Sequence, residues 1–217
     1  MSRGLHLDAY LLAFDTRAQS LQDRARAGFL VRAAALAELA HRGAVDEDGA
    51  GRVRIVSAAA TGDPVLDALI AEVAERPRSW KAWIRRGRED TLEAVEELLA
   101  VLGAVTMADR DPYGPVAPHR AVTVDDPREA LDLQLRVAEV VRGGAPVAAV
   151  PFGDAVLAAL AAHGHLRLVL SGHDRRSHRE RIAALTARLA EGTPGLARAV
   201  HGLNLTVVAA QGGMGGS

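Results

Sequence analysis

The sequence predicts a mainly α protein: a single compact helical domain packed around a buried central helix, with small antiparallel β-hairpins. Three observations carry this expectation. Within Gln22 to Gly43 (QDRARAGFLVRAAALAELAHRG), the stretch from Gly28 to Ala40 holds only Arg32 and Glu38 as charged residues, and a helix apolar on nearly every face is one surrounded by its own protein. Aromatic residues make up 3% of the chain, which leaves the packing to Ala, Leu and Val and favours helices. An Ala/Leu helix end, a glycine and a short β-like run recur at Leu36 to Val45, Leu98 to Val105 and Leu157 to Leu168, a pattern of helices alternating with small hairpins.

Leu5 to Phe14 reads as a short apolar helix ending near Asp15. The central helix closes at Gly43, where a glycine just past the last periodic residue takes the left-handed conformation that caps a helix. Asp46 to Gly51 (DEDGAG) is a turn, and Arg52 to Ser57 (RVRIVS) alternates as a half-buried strand does. Asp63 to Ala74 opens with an N-cap Asp and Pro at the first helical position, then repeats apolar residues at Val65, Leu66, Leu69, Ile70 and Val73, which makes an amphipathic helix. Pro77 breaks it. Ser79 caps a short helix with Trp80 and Trp83 on one face; these are core residues or, alternatively, indoles at a membrane interface. Glu89 to Leu102 is helical up to Gly103, Ala104 to Met107 is a strand, Asp109 to Pro118 is a proline-rich loop or hairpin tip, and Ala121 to Val124 returns. Asp126 to Arg142 is a helix with Pro127 at its start and Leu131, Leu133, Leu135, Val137 and Val140 among its apolar residues. Phe152 to His163 and Arg176 to Glu191 follow, the latter opened by Ser177 and Glu180 in capping-box spacing. Pro194 to Ala210 closes the fold with Leu196, Val200, Leu203 and Val207 along one stripe. One domain is expected over residues 1–210, with 211–217 (QGGMGGS) a disordered tail that has no side chains to pack.

Composition excludes several functions. A formal net charge of −1 argues against a surface devoted wholly to nucleic acid and leaves room for a local basic patch. With no Cys there is no disulfide framework, thiolate metal site or thiol nucleophile, which suits a reducing cytoplasm. The N-terminus lacks the long apolar core of a secretory signal, and no segment reaches the roughly 20 apolar residues of a membrane span. No nucleophile elbow, phosphate-binding glycine loop or zinc-protease motif occurs, so neither an enzyme nor a cofactor or metal site is expected. Glu96 and Glu97, adjacent on a helix, point about 100° apart and read as solvated. His163, His165, His173 and His178 match no ligand spacing; His163 and His165 flank Gly164 at a helix end.

The cations are more informative. A guanidinium in apolar surroundings costs several kcal/mol unless it is paired, hydrogen-bonded or facing a pocket. Arg32 therefore either pairs with a carboxylate on a neighbouring helix or floors an anion-binding pocket. Arg24 and Arg26 lie earlier on the same helix at offsets that do not let all three point one way. Arg85, Arg86 and Arg88 follow the Trp pair, and their forks suit phosphate geometry; a solvated face is the alternative. Arg175, Arg176, Arg179 and Arg181 sit at the predicted start of a helix, where exposed cations oppose the dipole by roughly 0.3–1 kcal/mol each. They call for a compensating anion, either Glu180 and Asp174 or an anionic lipid surface.

The segments VRAAALAELAHRGAV (Val31 to Val45), ATGDPVLDALI (Ala60 to Ile70) and RPRSWKAWI (Arg76 to Ile84), followed by LAALAAHGHLRLVL and DRRSHRERIAAL, occur in that order. They resemble the Golgi phosphoprotein 3 family, including its shorter bacterial members, over roughly Leu5 to Ala210. The resemblance implies a mostly helical, non-enzymatic domain peripheral to the cytoplasmic face of a membrane; eukaryotic relatives bind phosphatidylinositol 4-phosphate and act as adaptors that retain glycosyltransferases. In that family the head-group pocket uses an Arg on the central helix, a Trp nine residues before it and two basic residues on a later helix. Arg32 falls on the first position, Asp23 on the second, and Glu89 and Leu92 on the others. The expectation is a phospholipid-binding adaptor with Arg32, Arg85, Arg86 and Arg88 at the head group and Arg175, Arg176, Arg179 and Arg181 facing the membrane. Its expected partners are an anionic phospholipid, the membrane surface, membrane-associated proteins and a second copy of the chain. Relatives self-associate through a hairpin, whose counterpart at Tyr113 to Pro118 is rich in proline here. Two alternatives stand beside it: a winged-helix-like DNA-binding regulator, suggested by a helix ending at Gly43 before a small hairpin, and an interaction scaffold without lipid binding.

Overall fold

The computed structural model describes residues 3–108, 119–191, 193–204, 207 and 208; the expectations for the Asp109 to Pro118 loop and the 211–217 tail lie outside them. The architecture is built on helix α2 (Arg24–His41), whose residues Ala27 to Leu39 are all buried. Asp23 caps it by accepting from the Arg26 N–H, and Gly43 takes φ +70° just past its end. Helix α1 (Leu5–Ala13) lies along α2, and α3 (Pro64–Glu75), α4 (Trp80–Arg85), α5 (Arg88–Val101) and α7 (Phe152–His163) pack around it. The remaining helices are α6 (Pro127–Arg142), α8 (Gly172–Ser177), α9 (Arg179–Leu189) and α10 (Pro194–His201), with a 3-10 turn at Val147–Ala149. This is the mainly α arrangement the sequence predicts.

Three small antiparallel sheets complete it among the described residues. Strands β1 (Phe14–Asp15) and β2 (Ser20–Leu21) are too short to leave a periodic signal. Strands β3 (Val45–Glu47) and β4 (Arg52–Ile55) form the expected hairpin, and β5 (Arg78–Ser79) joins it as a third strand, pairing Val53 with Arg78 and Arg52 with Ser79. Strand β5 runs straight into α4, where the Ser79 hydroxyl accepts from the Ala82 N–H and so sets the start of the Trp-bearing helix. Both Trp80 and Trp83 are core residues, each 1% exposed. The third sheet pairs β6 (Val105–Met107) with β7 (Val122–Val124).

The structure departs from expectation in four places. After Gly164 there is no strand: Leu166 N–H bonds back to the Ala161 carbonyl and the chain turns, with His165 at φ +55°. The capping box is Ser171 with Asp174, opening α8, whereas Ser177 ends that helix and α9 starts at Arg179 without a side-chain cap. Asp174 is held there by Arg142 as well, through two contacts of 3.0 Å. On α6 the buried face runs through Ala130, Leu133, Gln134, Val137, Ala138 and Val141, which turns Leu131 and Leu135 outward. Finally, Glu96 is buried rather than solvated, because α5 packs on α1 and α2: Arg24 grips it with contacts of 2.5 and 2.8 Å, and the Tyr10 hydroxyl donates to it at 3.1 Å.

Two polar clusters tie distant segments together. His6, fully buried, stands with Nδ1 3.2 Å from Glu38 Oε2 and Nε2 3.1 Å from Asp63 Oδ2. Burial alone lowers an imidazole pKa, but the hydrogen bonds and charges of Asp63 and Glu38 outweigh it, so that of His6 is raised. Burial raises both carboxylate pKa values and the His6 contact overcomes it, leaving Glu38 and Asp63 below their ordinary range. In the second cluster Glu47 on β3 accepts from Trp80 Nε1 at 3.0 Å and from the Gly195 N–H at 2.6 Å, fastening α10 to α4.

Candidate functional site

The run from β5 into α4, and the end of α3 just before it, bring one set of charged side chains together. A cavity of about 340 Å³ is lined by Glu72, Glu75, Arg76, Arg78, Trp83 and Arg86, a volume at the low end for small-ligand sites, which run from about 300 to 1,000 Å³. Behind it stands Arg32 of α2, 1% exposed. Its Nε donates to the Trp83 carbonyl at 3.2 Å and its Nη1 to Thr91 Oγ1 at 2.7 Å. The Glu72 carboxylate takes both outer nitrogens, Nη2 at 2.5 Å and Nη1 at 3.3 Å. Of the two readings left open for Arg32, the pairing with a neighbouring helix is therefore the one present, and it sits against a cavity. Thr91 donates onward to the Gly87 carbonyl at 2.8 Å. Gly87, at φ +62°, brings the backbone against this pair: a Cβ there would lie 3.4 Å from Arg32 Nη1, Arg32 Nη2 and Glu72 Oε2.

Trp83 joins the cations. The guanidinium carbons of Arg32 and Arg78 lie 6.0 and 5.7 Å from its ring centroid, within reach of a cation–π attraction. Its Nε1 and the Nε of Arg78 are buried donors with no hydrogen-bond partner among the described residues. Arg76 and Arg86 are exposed and form no ion pair among the described residues. Three guanidinium groups and two carboxylates thus line this space, with a fourth guanidinium, that of Arg32, buried behind Glu72 and Trp83.

A profile of the family described as Golgi phosphoprotein 3 (GPP34) matches residues 5–203. The chain belongs to the Golgi phosphoprotein 3 family. No curated protein matches it. Among the described residues of this family member, no helix is long and apolar enough to cross a membrane, and no group of three His, Asp or Glu is placed to hold a metal ion.

Within the Golgi phosphoprotein 3 fold the predicted head-group residues separate. Arg86 lines the cavity with Arg32 behind it. Arg85 is exposed outside the lining. Arg88 lies over the Phe29 ring, 4.9 Å from its centroid, and donates to the Arg85 carbonyl and to Glu89. Sequence reasoning passed over Arg76, Arg78, Glu72 and Glu75; the signal for the first two was the RPRSW run, once it is read as a strand edge feeding a helix.

The second basic group of this Golgi phosphoprotein 3 member also divides. Arg175 and Arg176 fall in the last turn of α8, where cations suit the dipole, so the expected penalty at a helix start applies to Arg179 and Arg181 alone. Arg175 donates to the Leu170 carbonyl, and Arg181 donates to the Val140 and Ala145 carbonyls, each at 2.7 Å. Arg179 meets Glu180 at 3.6 Å in the open, and Arg176 is exposed. Burial, then the like charges of Arg167 and Arg176, lower the pKa of Arg175. The basic surface thus extends to Arg167, which lines a further cavity with Arg26 and His165.

Proposed function

We propose that this Golgi phosphoprotein 3 family member is a non-catalytic, peripheral membrane adaptor on the cytoplasmic side, which binds an anionic phospholipid head group of the phosphatidylinositol 4-phosphate type. The observation that carries the reading is the convergence of Arg76, Arg78 and Arg86 on one cavity whose lining offers only Glu72 and Glu75 in return, with Arg32 directly behind Glu72. Guanidinium forks match phosphate oxygens in geometry and charge. Arg176 and Arg179, exposed on the other basic group, add attraction to an anionic surface at about 1 kcal/mol for each cation near the lipid. Membrane-associated proteins and a second copy of the chain complete the proposed partners. Nucleic acid is not among them: a winged-helix reader needs an exposed recognition helix, and α2, the helix before the β3–β4 hairpin, has no open face between Ala27 and Leu39.

The test is vesicle flotation of the purified chain on neutral, generally anionic and phosphatidylinositol 4-phosphate liposomes at two salt concentrations, with Arg86→Ala alongside. Arg86 is exposed, so its removal leaves the core intact. Flotation selective for the phosphoinositide and weakened in the variant is the expected result. Flotation on none of the liposomes would overturn the lipid reading and point to a scaffold for protein partners.

A further inference from the structure

The cation at the back of the cavity is already occupied. The outer nitrogens of Arg32 face the Glu72 carboxylate at 2.5 and 3.3 Å, the two-pronged arrangement in which a phosphate also meets a guanidinium. The inner contacts, Nε to the Trp83 carbonyl and Nη1 to Thr91, hold Arg32 in place without Glu72. Glu72 differs from its partner in one respect: its side chain is 37% exposed where that of Arg32 is 1% exposed. It lines the cavity and has solvent to move into. A ligand arriving through the cavity therefore meets a fixed cation whose counter-charge is the movable part.

We infer that Glu72 is a built-in competitor for the head-group phosphate, which reaches Arg32 only by displacing it, and that this competition sets a charge threshold on the ligand. The inference rests on the lipid-binding reading above. A phosphodiester carries one negative charge, so its exchange for the carboxylate leaves the charge opposite Arg32 unchanged. A phosphomonoester approaching two charges adds one, and that extra charge also meets Arg76, Arg78 and Arg86. The cost of displacing Glu72 is the same for both, so Glu72 raises the affinity a head group must bring, and the extra charge lets a monoester meet that threshold at concentrations where a diester does not.

The experiment compares the full chain with Glu72→Gln, Glu72→Asp and Glu75→Gln on phosphatidylcholine vesicles carrying either phosphatidic acid, a monoester, or phosphatidylglycerol, a diester, at matched surface charge. Glu75→Gln makes the same charge change in the same cavity without touching Arg32, and Glu72→Asp keeps the charge while drawing it back from the guanidinium. The wild type is expected to prefer phosphatidic acid. Glu72→Gln should bind both lipids about tenfold more tightly, the scale of one lost charge contact, with the preference between them kept. Glu72→Asp should move the same way by less, and Glu75→Gln, which frees no guanidinium, should shift both lipids by much less than Glu72→Gln. Inorganic phosphate, followed by thermal shift, should stabilise Glu72→Gln more than the wild type; a gain seen on vesicles and absent with inorganic phosphate would overturn displacement at Arg32. Equal effects of Glu72→Gln and Glu75→Gln on the vesicles would also overturn it while leaving the lipid reading standing. Binding by none of the four proteins to either vesicle would remove both.

Discussion

Replacing His6 with leucine tests how the first three helices are held. Leucine fills a comparable space, so the change removes mainly the cation between Glu38 and Asp63. Glu38 keeps Arg42 and the Leu5 N–H, and Asp63 keeps the Val65 and Leu66 N–H groups. Removing one partner from a buried ion pair costs about 3–5 kcal/mol, and these surviving contacts place the loss near the lower end. For a chain of this size each kcal/mol moves Tm by about 2–4 °C, so calorimetry at about pH 6, below the ordinary imidazole value, should show a fall of about 6–12 °C. The pH dependence carries the sharper test. The His6 pKa is raised above 6.5 in the fold, so its contribution is complete below that value and is lost as pH rises through the raised one. The wild type should weaken on that alkaline side, and the leucine variant should lack this dependence. The pKa values of Glu38 and Asp63 are lowered in the fold, so the stability they contribute is lost only as pH falls through those low values. The gap between the two proteins should narrow there as the variant's carboxylates neutralise. A variant within about 1 kcal/mol of the wild type, or an identical pH slope on the alkaline side of 6.5, would mean that His6 is neutral and merely packs.

Two further outcomes follow from buried polar groups. Glu96→Ala strips Arg24 and Tyr10 of their shared acceptor and should cost about 2–4 kcal/mol in urea denaturation, several times what an exposed helix pair is worth. His163 has its pKa lowered to about 4, by burial first and then by His201 and His165. Its ring proton should titrate by NMR near that value, and because the fold favours the neutral ring, its contribution to stability should fall as pH drops from 6.5 towards 4.

What could be read in advance was local. Asp63 before Pro64, Ser79 three residues before Ala82 and Gly43 past the last turn of α2 each act within one turn of chain, and all three sit in the structure as the sequence implies. What could not be read was pairing at a distance. Glu72 lies 40 residues from Arg32 and Glu96 lies 72 from Arg24, and nothing local distinguishes Glu96, which is buried, from Glu97, which is exposed. Ser177 with Glu180 has the same spacing as Ser171 with Asp174; the second is the cap, and Arg142 of another helix braces Asp174 there. The site divided along the same line: the Arg32 position was legible from a charge inside an apolar helix, whereas the choice of Arg76 and Arg78 over Arg85 and Arg88 depended on β5, a strand of two residues set by its pairing with β4.

The clasp formed by Glu47, Trp80 and Gly195 bears on the order in which the protein is made. Trp80 leaves the ribosome early, but the segment that covers it begins at Pro194. At about 5–20 residues per second, the roughly 115 residues between them take on the order of 10 s to synthesise. Over that interval the nascent chain carries an uncovered indole next to the cavity's walls. The lining of the cavity, all of it between residues 72 and 86, is thus made long before α10, and a chain cut short before α10 would keep those residues while losing the cover over Trp80.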